Sequence, residues 1–139
     1  MRILSSLALG LMLTACSVGS SKSTGSNPGL DFSGASLKGM NFSGRDLSGA
    51  NFTNADLSRA QLSGTDLHGA SLSGALLTGV RSGSITGNPK ALPRGWTLVN
   101  GYLIGPGADL RHAVLSYAKL DGLNLDEVDF TGEIGRAHV

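Results

Sequence analysis

The sequence predicts an all-β solenoid, a chain bent once every five residues and wound into stacked coils. Three observations carry that reading. From Leu30 the chain can be written in fives (LDFSG, ASLKG, MNFSG, RDLSG and onward), and the third place is always Leu or Phe. Glycine closes eight of the first ten units, and Ala is the commonest residue at their first place. The 21 glycines in 139 residues are about twice the usual share and lack collagen's three-residue period.

A period of five suits no regular element. On an α-helix each successive centre would rotate about 140° around the axis, so no apolar face would form. On a continuous strand an odd period sends alternate centres to opposite faces. The centres share one interior only if the chain turns a corner in every unit. Glycine after the centre, with Ser or Thr before it, is suitable turn chemistry. Each layer of such a stack covers its neighbour's apolar face.

Taken in chain order, the first element is an export signal. Arg2 supplies a positive start, and Ile3 to Leu13 form an apolar stretch too short to span a bilayer, which needs about 20 residues. The stretch closes with Leu13-Thr14-Ala15-Cys16, which resembles a bacterial lipobox. That resemblance implies cleavage after residue 15 and acylation of Cys16, the only cysteine, giving an exported protein anchored in the bacterial cell membrane or outer membrane. Two or three acyl chains supply the several signals that stable anchoring needs. Ser17, a non-aspartate residue, is similar to what outer-membrane lipoproteins of Gram-negative bacteria carry there. Residues 16–29 continue as a Ser/Gly-rich tether with no apolar period.

The first repeat block, 30–79, places its centres at Phe32, Leu37, Phe42, Leu47, Phe52, Leu57, Leu62, Leu67, Leu72 and Leu77. A second block, 108–132, has centres Leu110, Leu115, Leu120, Leu125 and Phe130. These fifteen units resemble the pentapeptide-repeat family, whose consensus is A-(D/N)-L-x-x. The resemblance implies a right-handed quadrilateral β-helix with four units per coil, the centre and the small residue two before it pointing inward. Residues twenty apart then stack, as Phe32, Phe52 and Leu72 do. Arg45 departs from the pattern, because it stands at a small inward place; the reading is either a stem that snorkels outward or a locally distorted coil.

Between the blocks, 80–107 reads as an insert, since Leu77 and Leu110 are not separated by a multiple of five. It holds Pro89, Pro93, Pro106 and the only tryptophan, Trp96. Asn100-Gly101 between two short apolar runs predicts a β-hairpin with a two-residue turn, packed against the side of the helix. Trp96 and Tyr102 read either as an aromatic binding spot or as cover for the insert's apolar flank. After Gly132 the period stops, and 133–139 reads as a non-native tail. Ile134 to Val139 are what a common short-read sequencing adapter encodes in one frame, so further units are expected beyond it. The end coil would then present an open edge for pairing with another chain, a homodimer included.

Chemistry is sparse. Without residues 1–15 the chain has ten basic and ten acidic residues, which excludes a basic nucleic-acid footprint. One cysteine excludes a cysteine-built metal site. His68 and His112 stand at outward places with no ligand at metal spacing, and no serine sits in a Gly-x-Ser-x-Gly elbow with a histidine partner. No enzyme activity, cofactor or metal is expected. Some cytoplasmic relatives imitate DNA with stacked carboxylates and bind type II topoisomerases; here Asp46 and Asp66, and Asp109 and Asp129, should stack likewise. Interruption by Lys38, Arg45, Arg59 and Lys119, neutrality and the export signal argue against that alternative. The reading is a non-catalytic envelope lipoprotein whose rod acts as a scaffold for an unknown protein partner.

Overall fold

The structure, a computed structural model, describes residues 30–133; the signal segment, Cys16, the tether and Ile134–Val139 lie outside the described residues. Each five-residue unit is a short extended side followed by a tight turn. The turn closes with a backbone bond from three residues on to the centre, as in Ala35 N to Phe32 O at 3.0 Å and Ala60 N to Leu57 O at 2.9 Å. Its third residue has positive φ, 70° at Gly39 and near 60° at Arg59, His112 and Glu127. This is the type II turn, whose third position favours glycine, and it explains the fifth place of the repeat.

Successive coils pair through parallel bridges between residues twenty apart. The bridges fall on four faces: Asp31–Asn51–Ser71–Ala91 on face one, Ser36–Asp56–Leu76 on face two, Asn41–Gln61–Arg81–Asp109–Asp129 on face three, and Asp46–Asp66–Thr86 on face four. Within the regular coils the residue before the centre thus pairs with its equivalents in the neighbouring coils. The coil is four-sided, and the architecture is a right-handed β-helix.

Inside, the centres from Phe32 through Leu77 are 2% exposed or less, as are Leu110, Leu115 and Leu120. Leu125 and Phe130 are half-buried. The small residues Ala50, Ala55, Ala60 and Ala70 are fully buried beside the centres. Their size matters because two inward side chains from every unit share one narrow lumen. Phe32 and Phe52 stack at 5.1 Å, and Phe42 meets Phe52 edge-on at 6.1 Å. Arg45 is half-buried, and its backbone keeps the regular bonds to Phe42 O and from Asp66 N, both 3.0 Å. The coil is therefore undistorted there.

The insert differs from the expectation in two ways. The winding does not stop at Gly79: Arg81, Thr86 and Ala91 still pair with Gln61, Asp66 and Ser71. The consensus fades because Ser82 and Gly87 stand at centre places while the bulk moves to Val80 and Ile85, 0% and 7% exposed. The extra chain lies later in the coil, where 28 residues separate Arg81 from Asp109 against the usual twenty.

The hairpin forms where its turn signal lies. β1 (Thr97–Val99) pairs antiparallel with β2 (Tyr102–Ile104), and Asn100 and Gly101 both have positive φ, as a type I′ turn needs. It is not confined to the side of the helix, however. Leu103 and Ile104 are fully buried, with Leu103 and Leu98 in the core of the first coils and Ile104, Val99 and Tyr102 in that of the last. Trp96 packs against both. The hairpin packs onto the small centre at Ser82, whose Oγ accepts the Leu103 N–H at 2.9 Å. Gly105 stands 28 residues after Leu77, at the equivalent centre place, and its missing side chain makes room for the Trp96 indole.

Candidate interaction surface

Outward-facing side chains begin with the second residue of each unit. Its carboxylate or amide oxygen accepts the backbone N–H two residues on: Ser33 N to Asp31, Ser43 N to Asn41, Thr53 N to Asn51, Ser58 N to Asp56, His68 N to Asp66 and Thr131 N to Asp129, all between 2.9 and 3.1 Å. This Asx turn satisfies an amide that the corner leaves out of the ladder. Asp46 takes both Ser48 N (3.0 Å) and Ser48 Oγ (2.6 Å). Hydrogen bonds from Ser33 and Ser58 hold the carboxyls of Asp31 and Asp56 below the ordinary range. The stacked acids are therefore structural first, each with an oxygen committed to its own turn.

Asp46 and Asp66 do bridge on face four, and Asp109 and Asp129 on face three. The second pair is neutralised by its neighbours. Arg111 Nη2 lies 2.7 Å and Arg81 Nε 3.0 Å from Asp109 Oδ2, and Arg111 Nε lies 3.5 Å from Asp129 Oδ2. The hydrogen bond from Arg111, against a partly opposing loss of solvent, brings the Asp109 carboxyl down to about 2. That of Asp129 is lowered first by Thr131.

This ion chain crosses the junction between the two repeat blocks and floors a groove of about 400 Å³. Its wall includes the corner between faces two and three, where Arg59, Gly79, Gly107 and Glu127 follow one another from coil to coil. In the sequence these four residues do not stand out as a group. A spacing of twenty would have placed Arg59 over Gly79, but the eight added residues hide Gly107 and Glu127 from any fixed period.

Trp96 and Tyr102 are brought into one hairpin, and both are half-buried with structural partners. The Tyr102 hydroxyl accepts the Val114 N–H at 3.0 Å. His68 and His112 are exposed on different coils. Among the described residues no group of three or more His, Cys, Asp or Glu could hold a metal ion, and no helix is long and apolar enough to cross a membrane.

With this geometry in view, the chain belongs to the pentapeptide-repeat family: the family's model, "Pentapeptide repeats", matches in eight copies over residues 29–60, 46–81 and 106–132, more than half of the chain. Proteins of this family are generally non-catalytic. Among solved structures, a pentapeptide repeat protein from the thylakoid lumen of Arabidopsis thaliana is 26% identical, with a TM-score of 0.30; the match covers 76% of this chain and 57% of that one. No curated protein sequence matches.

Proposed function

We propose that this is a non-catalytic, lipid-anchored protein of the bacterial cell envelope whose β-helix serves as a rigid scaffold, presenting side chains to a protein partner. The observation that carries the reading is Leu13-Thr14-Ala15-Cys16: the chain's only cysteine stands directly after small residues at the end of an export signal. Acylation there fixes the rod to the membrane, and the Ser/Gly tether lets it stand off the surface. The rest of the chain suits presentation over chemistry. Inward places hold Leu, Phe and Ala, while outward polar groups are pinned by Asx turns at coil spacing.

Metabolic labelling with radioactive palmitate, followed by fractionation, tests this. Label is expected in the membrane fraction and is lost in Cys16→Ala. A soluble, unlabelled cytoplasmic product would overturn the proposal. Crosslinking in the native envelope then identifies what the rod holds.

A further inference from the structure

The corner between faces two and three runs Arg59, Gly79, Gly107, Glu127 along the helix axis, one residue per coil. The coils stay paired across the block junction there, Gly79 N donating to Gly107 O, so the corner is continuous. The two glycines add no side chain of their own, and the Thr78 methyl lies beside Gly107. A Cβ on Gly79 would lie 3.0 Å from Arg59 Cγ, which places the Arg59 stem against Gly79. At the ends of the groove stand one guanidinium and one carboxylate, both exposed, and neither makes an ion pair or side-chain hydrogen bond among the described residues. Beside them Arg81 and Arg111 balance Asp109 and Asp129 in the ion chain, so the end charges stand out from a neutral wall. Both also hold left-handed backbone, φ 60° and 58°, where the turn favours glycine.

We propose that this groove docks an extended segment of a partner protein that carries an acidic side chain and, about four residues away, a basic one. The inference rests on the reading of the rod as an interaction surface and gives that surface a place. Charge complementarity selects the occupant: a carboxylate meets Arg59 and an ammonium meets Glu127. Three coil spacings, about 14 Å, separate the backbones that carry these two charges. An extended chain covers that distance in about four residues. Small residues between the two charges let the segment lie over the two glycines, and a concave groove accepts a single chain better than a second copy's identical groove.

The test is an NMR titration of the isotope-labelled full chain in detergent. The probes are acetyl-Asp-Gly-Gly-Gly-Lys-amide, its diacidic Asp/Asp analogue and its dibasic Lys/Lys analogue. The Asp/Lys peptide is expected to shift the amides of Arg59, Gly79, Gly107 and Glu127 and to bind the native protein best. Arg59→Glu makes both ends acidic and should turn preference to the Lys/Lys peptide. Glu127→Arg should turn it to the Asp/Asp peptide, each by about tenfold. Both variants keep a charged residue at a corner that already accepts one, and circular dichroism checks the fold. Shifts spread elsewhere, or a peptide preference that neither reversal changes, overturn the proposal. Because the titration uses purified protein, its failure leaves the anchoring result standing, and a missing palmitate label leaves the groove result standing.

Discussion

A methyl group added at Gly87 and one added at Gly39 meet different surroundings, although both residues sit at φ +70°. At Gly39 nothing lies within 4 Å, so Gly39→Ala costs only the left-handed backbone term, about 1–2 kcal/mol. At Gly87 the new Cβ would lie 2.6 Å from the His68 amide nitrogen, and backbone cannot swing away. Gly87→Ala should therefore cost about 1–3 kcal/mol more than Gly39→Ala, read as the difference in urea midpoints. The second place of the repeat obeys a hydrogen-bond rule instead. Asp46→Ala removes the acceptor of Ser48 N and Oγ and should cost about 1 kcal/mol, whereas Asp46→Asn keeps an acceptor and most of the stability. Asp109 links this scale to pH. Its folded value, about 2, is below the ordinary 3.8 because Arg111 and then Arg81 bond the charged form. Its contribution is therefore complete above pH 4 and disappears as pH falls toward 2. Comparing native protein with Asp109→Asn from pH 6 to pH 2, the stability difference should shrink in that window; a difference that stays constant contradicts the assignment.

At the scale of the element, the hairpin decides how the two blocks communicate. Bridges join the coil that begins at Arg81 to the next only on face three, through Arg81 and Asp109, among the described residues. On face four the Val114 amide is answered by the Tyr102 hydroxyl, a side chain doing what a carbonyl does elsewhere, as when Asp66 N meets Arg45 O. Tyr102→Phe should expose that amide to exchange at a cost of about 1 kcal/mol. Trp96→Ala, which empties the space over Gly105, should cost roughly 3 kcal/mol. Hydrogen exchange after that change should show the last coils opening before the first; equal protection throughout would mean that Trp96 does not couple the blocks. The hairpin itself was legible because Asn-Gly between apolar runs is a local signal. Its position between two cores was not, since it depends on Ser82 answering the Leu103 amide and on Gly105 leaving room for the Trp96 indole, contacts with no periodic trace. The same exchange of bulk, from Ser82 and Gly87 to Val80 and Ile85, made the winding look as if it ended at Gly79.

For the whole molecule, the strict period and the unbroken Leu or Phe at its third place made the fold legible in sequence, because one residue in five must face inward whatever stands at the other places. The surface was less legible. Asp109 reads in sequence as a free outward acid, yet two arginines from neighbouring turns and coils claim it, and Glu127 comes near Gly107 only through the irregular coil. Stability should follow the ladder: burying a charge among Phe32, Leu37 and Leu77, as Leu57→Asp would, should abolish folding. An unchanged circular-dichroism spectrum in a soluble Leu57→Asp protein would contradict the ladder. The proposed anchoring joins that solenoid to a membrane through one residue, Cys16. Intact mass spectrometry of the protein extracted from its membrane tests this most directly. Anchoring at Cys16 predicts a chain that begins there, without residues 1–15 and heavier by its acyl groups, whereas a chain that begins elsewhere or carries Cys16 as a free thiol would contradict it.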